Sequence, residues 1–159
     1  LNFLDNQTFT NSKGTFNKKS KNKISAIIIT HVFGNLINLN YFYNICKKKK
    51  IKVIEDAAEA LGTFNEYNKH AGTTGDYGVL SFNANKVITS ASGGALFVKK
   101  NTDFLKAKKL IAQSKVNPVF FTHDDMGFNY GMSNIHAAIG LGQFEKIKKI
   151  LKKKEKIFL

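Results

Sequence analysis

Polar side chains lie where three apolar runs of the sequence end, and several of them carry groups that can take part in a reaction. The runs are "ISAIIIT", "KVI" and "YGVLSF". The polar residues at or just after their ends are Thr30, His31, Glu55, Asp56, Ser81, Asn83, Asn85 and Lys86. In open α/β sheets, ligands lie at the carboxyl ends of the strands. If the three runs are neighbouring strands, we expect these side chains to converge on one site.

Asp56 and Lys86 are the two charged residues that could carry a reaction there. A carboxylate at a buried strand end must be paired to stay charged, and a cationic ring nitrogen would serve as its partner. A lysine held among apolar strands is desolvated, which favours the neutral amine and Schiff-base chemistry. Each residue also has a plainer interpretation: Asp56 caps a short helix from Ala57, and Lys86 is one surface lysine among 25.

Ser81 and the bend "SASGG" add a third feature, a place for a phosphate. A serine hydroxyl and the backbone N–H groups of a glycine-rich bend can cradle a phosphate, although such a bend before a strand is as often ordinary turn chemistry. An aspartate, a lysine and a phosphate cradle together form the set of groups that binds pyridoxal phosphate. The combination therefore favours this cofactor more than any one residue does.

The elements that must position these residues follow from the apolar pattern. "ISAIIITH" (Ile24–His31) is a continuous β-branched run, typical of a strand covered on both faces. "NLINLNYFYNICKKKK" places Leu36, Leu39, Tyr43 and Cys46 at helical spacing. A second buried strand, 52–55, follows at once. Strand, helix and strand predict a βαβ unit with parallel strands and a right-handed crossover.

The rest of the chain alternates between predicted strands and predicted helices in the same way, so the predicted fold class is α/β. Phe3 and Leu4 resemble strand residues, and 11–23 is predicted to be a loop. "YGVLSF" and "GGALFVKK" are two further strands, and "NTDFLKAKKLIAQSK" is a helix. An irregular stretch follows Pro118. The last segment, 132–159, is predicted to be one long helix capped at Ser133.

Composition limits the class of protein. The 159 residues, 43% of them hydrophobic, suit one globular domain, and the single Cys46 fits a small core residue rather than a disulfide. No apolar run is long enough to span a membrane, which predicts a cytoplasmic protein without a membrane partner. The net charge is +14, yet all 25 basic residues are lysines and none is the arginine preferred in nucleic-acid recognition. Nucleic-acid binding is therefore a minor alternative.

Four ordered segments resemble the DegT/DnrJ/EryC1/StrS family of sugar aminotransferases. They are "THVFGN", "KVIEDAAEALG", "GTTGDYGVLSFNANKVITSASGGALF" and "HDDMGFNYGMSNIHAAIGLGQFEKI". The resemblance implies the large domain of the type I pyridoxal-phosphate aminotransferase fold, a mostly parallel sheet flanked by helices in three layers. It implies that 1–159 is part of this domain, incomplete at both ends, with 132–159 leading toward a C-terminal small domain. It also implies a homodimer with active sites at the subunit interface.

The resemblance assigns roles to individual positions. Lys86 would bind pyridoxal phosphate covalently and act as the catalytic base. Asp56 would pair with the pyridine nitrogen, Glu59 would lie near the phenolic oxygen, and Ala58 would pack against the ring. Ser81 would bind the phosphate, and Asn129 would reach the phosphate of the neighbouring subunit. His31 and His123 would line the substrate pocket, His31 by shaping the turn and pocket wall. No metal site is expected.

The implied reaction is transamination of a nucleotide-linked keto-sugar, of the 4-keto-6-deoxy-hexosamine type, with L-glutamate as the amino donor in surface-glycan biosynthesis. The chain departs from the family pattern at Ala91 and Ser92 of the glycine-rich bend, and at Gly131, where relatives often carry arginine. These departures keep a truncated or inactive binding domain as an alternative. A related sugar dehydratase, which would have histidine at position 86, is the other.

Overall fold

The computed structural model describes residues 1–117 and 119–158. Pro118, which precedes the irregular stretch, therefore lies outside the described residues. The chain divides into two compact units. The first consists of Leu1–Ser81 together with Ala95–Phe97, and the second consists of Phe82–Gly94 together with the chain from Val98 onward.

The first unit begins with a short helix and a small sheet and continues into the strands of a larger sheet. Its elements are α1 (Asn2–Asn6), β1 (Thr8–Asn11), β2 (Gly14–Asn17), β3 (Lys23–Ile24), β4 (Ala26–Thr30), a 3-10 turn (Val32–Gly34), α2 (Asn40–Lys48), β5 (Lys52–Asp56) and β6 (Tyr77–Ser81). Strand β7 (Gly94–Val98) follows, with its centre assigned to the first unit. The second unit contains α3 (Asn101–Ile111), β8 (Lys115–Asn117), β9 (Thr122–His123), α4 (Asn134–Phe144) and α5 (Ile147–Phe158).

The larger sheet brings the polar strand ends to one edge. Its strand order is β4-β5-β6-β7. Strands β4 and β5 are parallel, with Thr30 opposite Asp56, and β5 and β6 are parallel, with Asp56 opposite Val79. The predicted parallel βαβ unit is therefore confirmed. The register places the last residues of β4 and β5 opposite each other, and β6 continues two residues further at the same edge, to Ser81.

The hydrophobic core of the first unit lies on one face of this sheet. Leu4, Cys46, Ile51 and Val53 are buried, and the partly buried side chains packed against them are Ile24, Ile27, Ile29, Phe42 and Tyr43. Cys46 is a free, fully buried thiol, as its apolar helical position predicts. Burial of these side chains holds α2 against β5. It therefore fixes where β5 ends relative to α2.

Strand β4 differs from its prediction. Ala26, Ile28 and Thr30 are exposed, and Ile28 keeps 66% of its surface accessible, so the strand is not covered on both faces. Within the described residues, β4 is last in the strand order, and its Ile27 and Ile29 side chains lie on the face that packs against the core, opposite the face that carries Ile28. A continuous β-branched run indicates a strand but does not show how many of its faces are covered.

Two predictions for the start of the chain were wrong. Phe3 and Leu4 lie in helix α1 rather than in a strand. The segment predicted as a loop contains β2 and β3, which pair antiparallel with each other, while β2 also pairs antiparallel with β1. Phe9 and Phe16 stack across β1 and β2 with ring centroids 5.6 Å apart. This cross-strand contact stabilises a hairpin whose lysine- and asparagine-rich composition suggests a loop.

The helices of the second unit follow the prediction with one exception. Helix α3 forms as expected, and the Ser133 side chain accepts a hydrogen bond from the His136 N–H at the start of α4. The predicted single helix is instead two helices, because a turn at 145–146 separates α4 from α5. Gly140 and Gly142 lower the helix propensity just before this break. Among the described residues, no helix has the length and apolar character needed to cross a membrane.

Candidate active site

Asp56 ends β5 and is held at both ends of its carboxylate. Its Oδ2 lies 3.5 Å from the Thr30 hydroxyl, and its Oδ1 accepts the Ala58 N–H at 3.2 Å. Its main-chain carbonyl accepts the His31 N–H at 2.9 Å. The residue is half-buried. A carboxylate has about four acceptor positions, so these two contacts leave room for a further, cationic donor.

Glu59 connects the segment after Asp56 to the turn after β4. Its Oε2 accepts the Phe33 N–H at 2.9 Å. Phe33 adopts a positive φ of 53° inside the 3-10 turn, a conformation that is uncommon for a bulky residue. The Glu59 carboxylate therefore has a structural partner in this strained turn. Ala58, the small residue between Asp56 and Glu59, is half-buried.

His31 and Glu55, the residue before Asp56, form a buried pair. The His31 Nε2 lies 2.9 Å from the Glu55 Oε2, and the two side chains are 0% and 1% exposed. The Ile37 N–H lies 3.4 Å from the His31 Nδ1, which makes Nδ1 the acceptor. This network assigns the proton to Nε2, which donates to Glu55. Both ring nitrogens of His31 are therefore used within the protein.

Glu55 also receives three main-chain N–H groups from the loop before β6. Its Oε1 accepts from Thr74 at 2.6 Å and Gly75 at 2.5 Å, and its Oε2 accepts from Gly72 at 3.0 Å. With the His31 ring, each carboxylate oxygen accepts two hydrogen bonds. A carboxylate this buried needs such a set of donors to remain in the core. The sequence signals for this cluster are an acidic residue inside a buried strand and the loop "AGTTGD". These signals alone do not assign a function to Glu55.

Ser81 lies at the same edge of the sheet as Asp56. It is the last residue of β6, half-buried, and two residues beyond Val79, which is opposite Asp56 in the register. The structure therefore brings together the strand-end residues of the first unit, as expected. Thr30, His31, Glu55 and Asp56 are linked by the hydrogen bonds described above, and Ser81 ends the neighbouring strand.

Lys86 belongs to the second unit, where it lies in a closed loop. Its main-chain N–H donates to the Asn83 carbonyl at 3.1 Å, and its side chain is half-buried. The loop is closed by hydrogen bonds from the Ser90 N–H to the Phe82 carbonyl and from the Phe82 N–H to the Gly93 carbonyl, both 2.9 Å. Ile88 and Ser90 are buried within it. Lys86 is therefore carried by an anchored loop rather than by a free surface turn.

The bend where the sequence departs from the family pattern has a strained residue. Ala91 adopts a φ of 68°, which favours glycine, and its N–H bonds to the Thr89 hydroxyl at 2.9 Å. Gly93 adopts a φ of 98°, and a Cβ there would lie 2.7 Å from the Met132 side chain. The backbone conformation at 93 therefore favours glycine, whereas the Met132 methyl group is the end of a flexible side chain that can move.

An open pocket of about 430 Å³ lies beside this bend in the second unit. Ser92, Asn129, Gly131 and His136 are among the residues that line it. Asn129, predicted to bind a phosphate, is exposed, and a Cβ at Gly131 would meet nothing within 4 Å. His136, to which the resemblance assigned no role, is a residue of α4. Its position in the first turn after Ser133 is the signal that could have placed it at the pocket.

His123, the other predicted substrate residue, is exposed in β9. Its Nδ1 lies 2.6 Å from the Gln113 carbonyl, so Nδ1 carries the proton and donates to that oxygen. This assignment leaves Nε2 as the acceptor nitrogen of a neutral ring. The hydrogen bond orients His123 within the second unit.

Comparison with known proteins identifies the family. The model of the DegT/DnrJ/EryC1/StrS aminotransferase family matches residues 4–159. The chain belongs to this family. Among its curated relatives, GDP-perosamine synthase of Escherichia coli O157:H7 is 34% identical over 153 residues, which cover 96% of this chain and 42% of the relative. A UDP-4-amino-4,6-dideoxy-N-acetyl-beta-L-altrosamine transaminase of Campylobacter jejuni is 33% identical over 143 residues, covering 87% of this chain and 37% of that protein.

A solved aminotransferase structure agrees with the fold. Helicobacter pylori PseC, an aminotransferase involved in the biosynthesis of pseudoaminic acid, matches with a TM-score of 0.79 and 27% identity. The match covers 86% of this chain and 37% of that one. The predicted fold class is confirmed, because this chain has the mixed sheet and flanking helices of an aminotransferase large domain. The chain spans less than half the length of the relatives it matches.

Proposed function

We infer that the DegT/DnrJ/EryC1/StrS family chain is part of a pyridoxal-phosphate-dependent aminotransferase that acts on a nucleotide-linked keto-sugar. The observation that carries this proposal is Asp56, a half-buried carboxylate at the carboxyl edge of three parallel strands, oriented by Thr30 and Ala58. A carboxylate in this setting suits a protonated pyridine nitrogen, because its remaining acceptor positions can pair with a cation.

The residues of the chain fit the cofactor. The hydroxyl of Ser81 would bind the phosphate, Ala58 would lie against the ring, and Glu59 would lie near the phenolic oxygen. Asn129 would reach the phosphate bound by a neighbouring subunit. When bound, pyridoxal phosphate supplies an electron sink for the bonding electrons released at a substrate carbon. The protein's part is to orient that group and to stabilise its charge.

Lys86 is proposed to provide the covalent attachment and the catalytic base. A neutral amine at Lys86 Nζ would move the proton between the substrate carbon and the cofactor carbon. The anchored loop supports this role, because hydrogen bonds at Phe82 and Ser90 limit the movement of the segment that carries Lys86. A lysine at this position also favours the aminotransferase over the related dehydratase.

The substrate class follows from the names of the relatives. A GDP-perosamine synthase and a UDP-aminosugar transaminase both support a 4-keto-6-deoxy sugar nucleotide, with L-glutamate as the proposed donor. His123 would contact the substrate through Nε2. His31 would shape the pocket wall, because both of its ring nitrogens already have partners within the first unit. We propose a cytoplasmic homodimer as the working enzyme.

Covalent labelling tests the proposal directly. The full-length protein is incubated with pyridoxal phosphate, reduced with borohydride and digested for mass spectrometry. We expect the phosphopyridoxyl group on Lys86, with no label at that peptide in the Lys86→Ala variant. Lys106→Ala, which removes an exposed lysine of α3, is the matched control and should label normally. A label on another lysine, or no label in the wild-type protein, would show that the proposed function is wrong.

A further inference from the structure

The buried pair of His31 and Glu55 touches neither cofactor nor substrate in the function proposed above, where His31 only shapes the pocket wall. Both residues are enclosed, and neither presents a group to a substrate. Four donors converge on Glu55 within the first unit, and together they fill the acceptor positions of its carboxylate. Glu55 directly precedes Asp56, the residue proposed to pair with the cofactor, in β5.

Two hydrogen bonds of His31 join the ends of β4 and β5. The ring Nε2 donates to the Glu55 carboxylate at 2.9 Å, and the main-chain N–H donates to the Asp56 carbonyl at 2.9 Å. His31 thus holds two consecutive residues of β5, one by its side chain and one by its backbone. Because the ring has no exposed surface, it cannot turn away without opening the core.

The loop before β6 is fixed to the same carboxylate. Gly72, Thr74 and Gly75 direct their N–H groups at Glu55, forming a cluster of backbone donors around an anion. A Cβ at Gly75 would lie 2.8 Å from the Val53 carbonyl, so the loop approaches β5 closely. Glu55 therefore ties three segments together at one point.

We propose that Glu55 and His31 are positioning residues for Asp56. The Glu55 carboxylate fixes the His31 ring, and the His31 backbone fixes the main chain of Asp56. The Asp56 carboxylate is then held where Thr30 and Ala58 orient it. This inference rests on the proposed function for its consequence, which is the strength of cofactor binding. The hydrogen-bond path itself is a property of the first unit alone.

Glu55→Gln is the variant that tests this path. Each carboxylate oxygen accepts two donors, so the glutamine NH₂ group faces two N–H groups in either orientation. Asp76→Asn is the matched control. Asp76 is a half-buried carboxylate that accepts the Val53 N–H at 3.0 Å and pairs with Lys52, at the opposite end of β5. Loss of the Asp76 carboxylate should destabilise the sheet without disturbing the hydrogen bonds of His31.

Hydrogen exchange of the cofactor-free, full-length protein tests this hydrogen-bond path without measuring catalysis. In Glu55→Gln we expect faster exchange at the amides of Gly72, Thr74 and Gly75 and also at the His31 amide, which donates to Asp56. Asp76→Asn should leave the His31 amide protected. Unchanged protection of the His31 amide in Glu55→Gln would overturn the inference, because Glu55 would then serve only the loop.

A double-mutant cycle measures the consequence for the cofactor. We expect Glu55→Gln to weaken pyridoxal phosphate binding by about tenfold in the wild-type background and to have little further effect in Asp56→Asn, since groups in one network couple by such factors. Asp76→Asn should act additively with Asp56→Asn. Additive effects of Glu55→Gln would overturn the inference, whereas failure of the wild-type protein to bind cofactor would overturn the proposed function instead.

A second pair of variants covers the case in which Glu55→Gln does not fold. His31→Ala removes the ring but keeps the backbone N–H, and His31→Gln restores a side-chain donor toward Glu55. The inference requires that His31→Ala couple with Asp56→Asn and that His31→Gln recover part of the lost cofactor affinity and of its induced circular dichroism. Equal cofactor affinity and equal induced circular dichroism of the two variants would contradict the inference.

Discussion

The Thr30 hydroxyl and the Asp56 carboxylate lie 3.5 Å apart, on residues directly opposite each other at the ends of β4 and β5. We expect Asp56→Asn to weaken pyridoxal phosphate binding in the full-length protein by about 10- to 100-fold, the cost of losing a hydrogen bond to a charged group. Thr30→Val removes only a long, exposed contact and should have a much smaller effect. Equilibrium titration of the bound cofactor's absorbance measures both. Equal effects of the two substitutions would argue against a direct role of the carboxylate.

Gly78 marks a close approach inside the sheet. A Cβ at this position would lie 1.8 Å from the Gly72 carbonyl oxygen, a backbone atom of the loop held by Glu55. We expect Gly78→Ala to cost about 3 kcal/mol of unfolding free energy, or to prevent folding, because the backbone must shift. Thermal unfolding of the full-length protein gives the difference.

Gly142→Ala is the control for that substitution. A Cβ at Gly142 meets nothing within 4 Å, and the residue lies in α4. Alanine should leave the melting temperature unchanged or raise it, since glycine is less favourable than alanine in a helix by about 1 kcal/mol. Normal stability of Gly78→Ala would show that the loop and β6 are further apart than described.

Cys46 should be unreactive in the folded protein. Its thiol is completely buried, and burial, with the Asp76 carboxylate as a second cause, raises the pKa of Cys46 above its ordinary value. We expect no alkylation of the Cys46 peptide by iodoacetamide at pH 8, and complete alkylation in denaturant. Labelling of the native protein would indicate that α2 opens readily from β5.

The same shift predicts the direction of a pH effect. Above the ordinary pKa of a thiol, the unfolded chain releases the Cys46 proton while the folded chain keeps it. The Cys46 contribution to stability is therefore fully present below that pKa and decreases as the pH rises through it. Cys46→Ala should lose this component in urea titrations at increasing alkaline pH. An identical pH dependence in the variant would contradict the shift.

Ser133 should contribute to the stability of α4. Its hydroxyl accepts the His136 N–H at 3.3 Å, satisfying one of the free donors at the helix start. We expect Ser133→Ala to cost about 1 kcal/mol and Ser133→Asp, which can cap in the same way, to cost less. Chemical denaturation monitored by circular dichroism gives both values. Equal losses would indicate that the cap contributes nothing.

The apolar pattern determined the main elements of this protein. Continuous β-branched runs and helical spacing are local properties, so β4, α2, β5 and α3 could be predicted within a few residues. The same holds for the Ser133 cap and for the burial of Cys46. Ordered motifs around Asp56 and Lys86 identified the family because several must occur together in one order.

The tertiary structure decided what no local pattern contains. Exposure of Ile28 depends on which face of β4 packs against the core, and the hairpin of β1 and β2 includes a contact between Phe9 and Phe16. The role of Glu55 depends on donors 17 to 24 residues away in sequence, brought to one point by strand register. A buried carboxylate is explained only by its partners, and long-range pairing selects those partners.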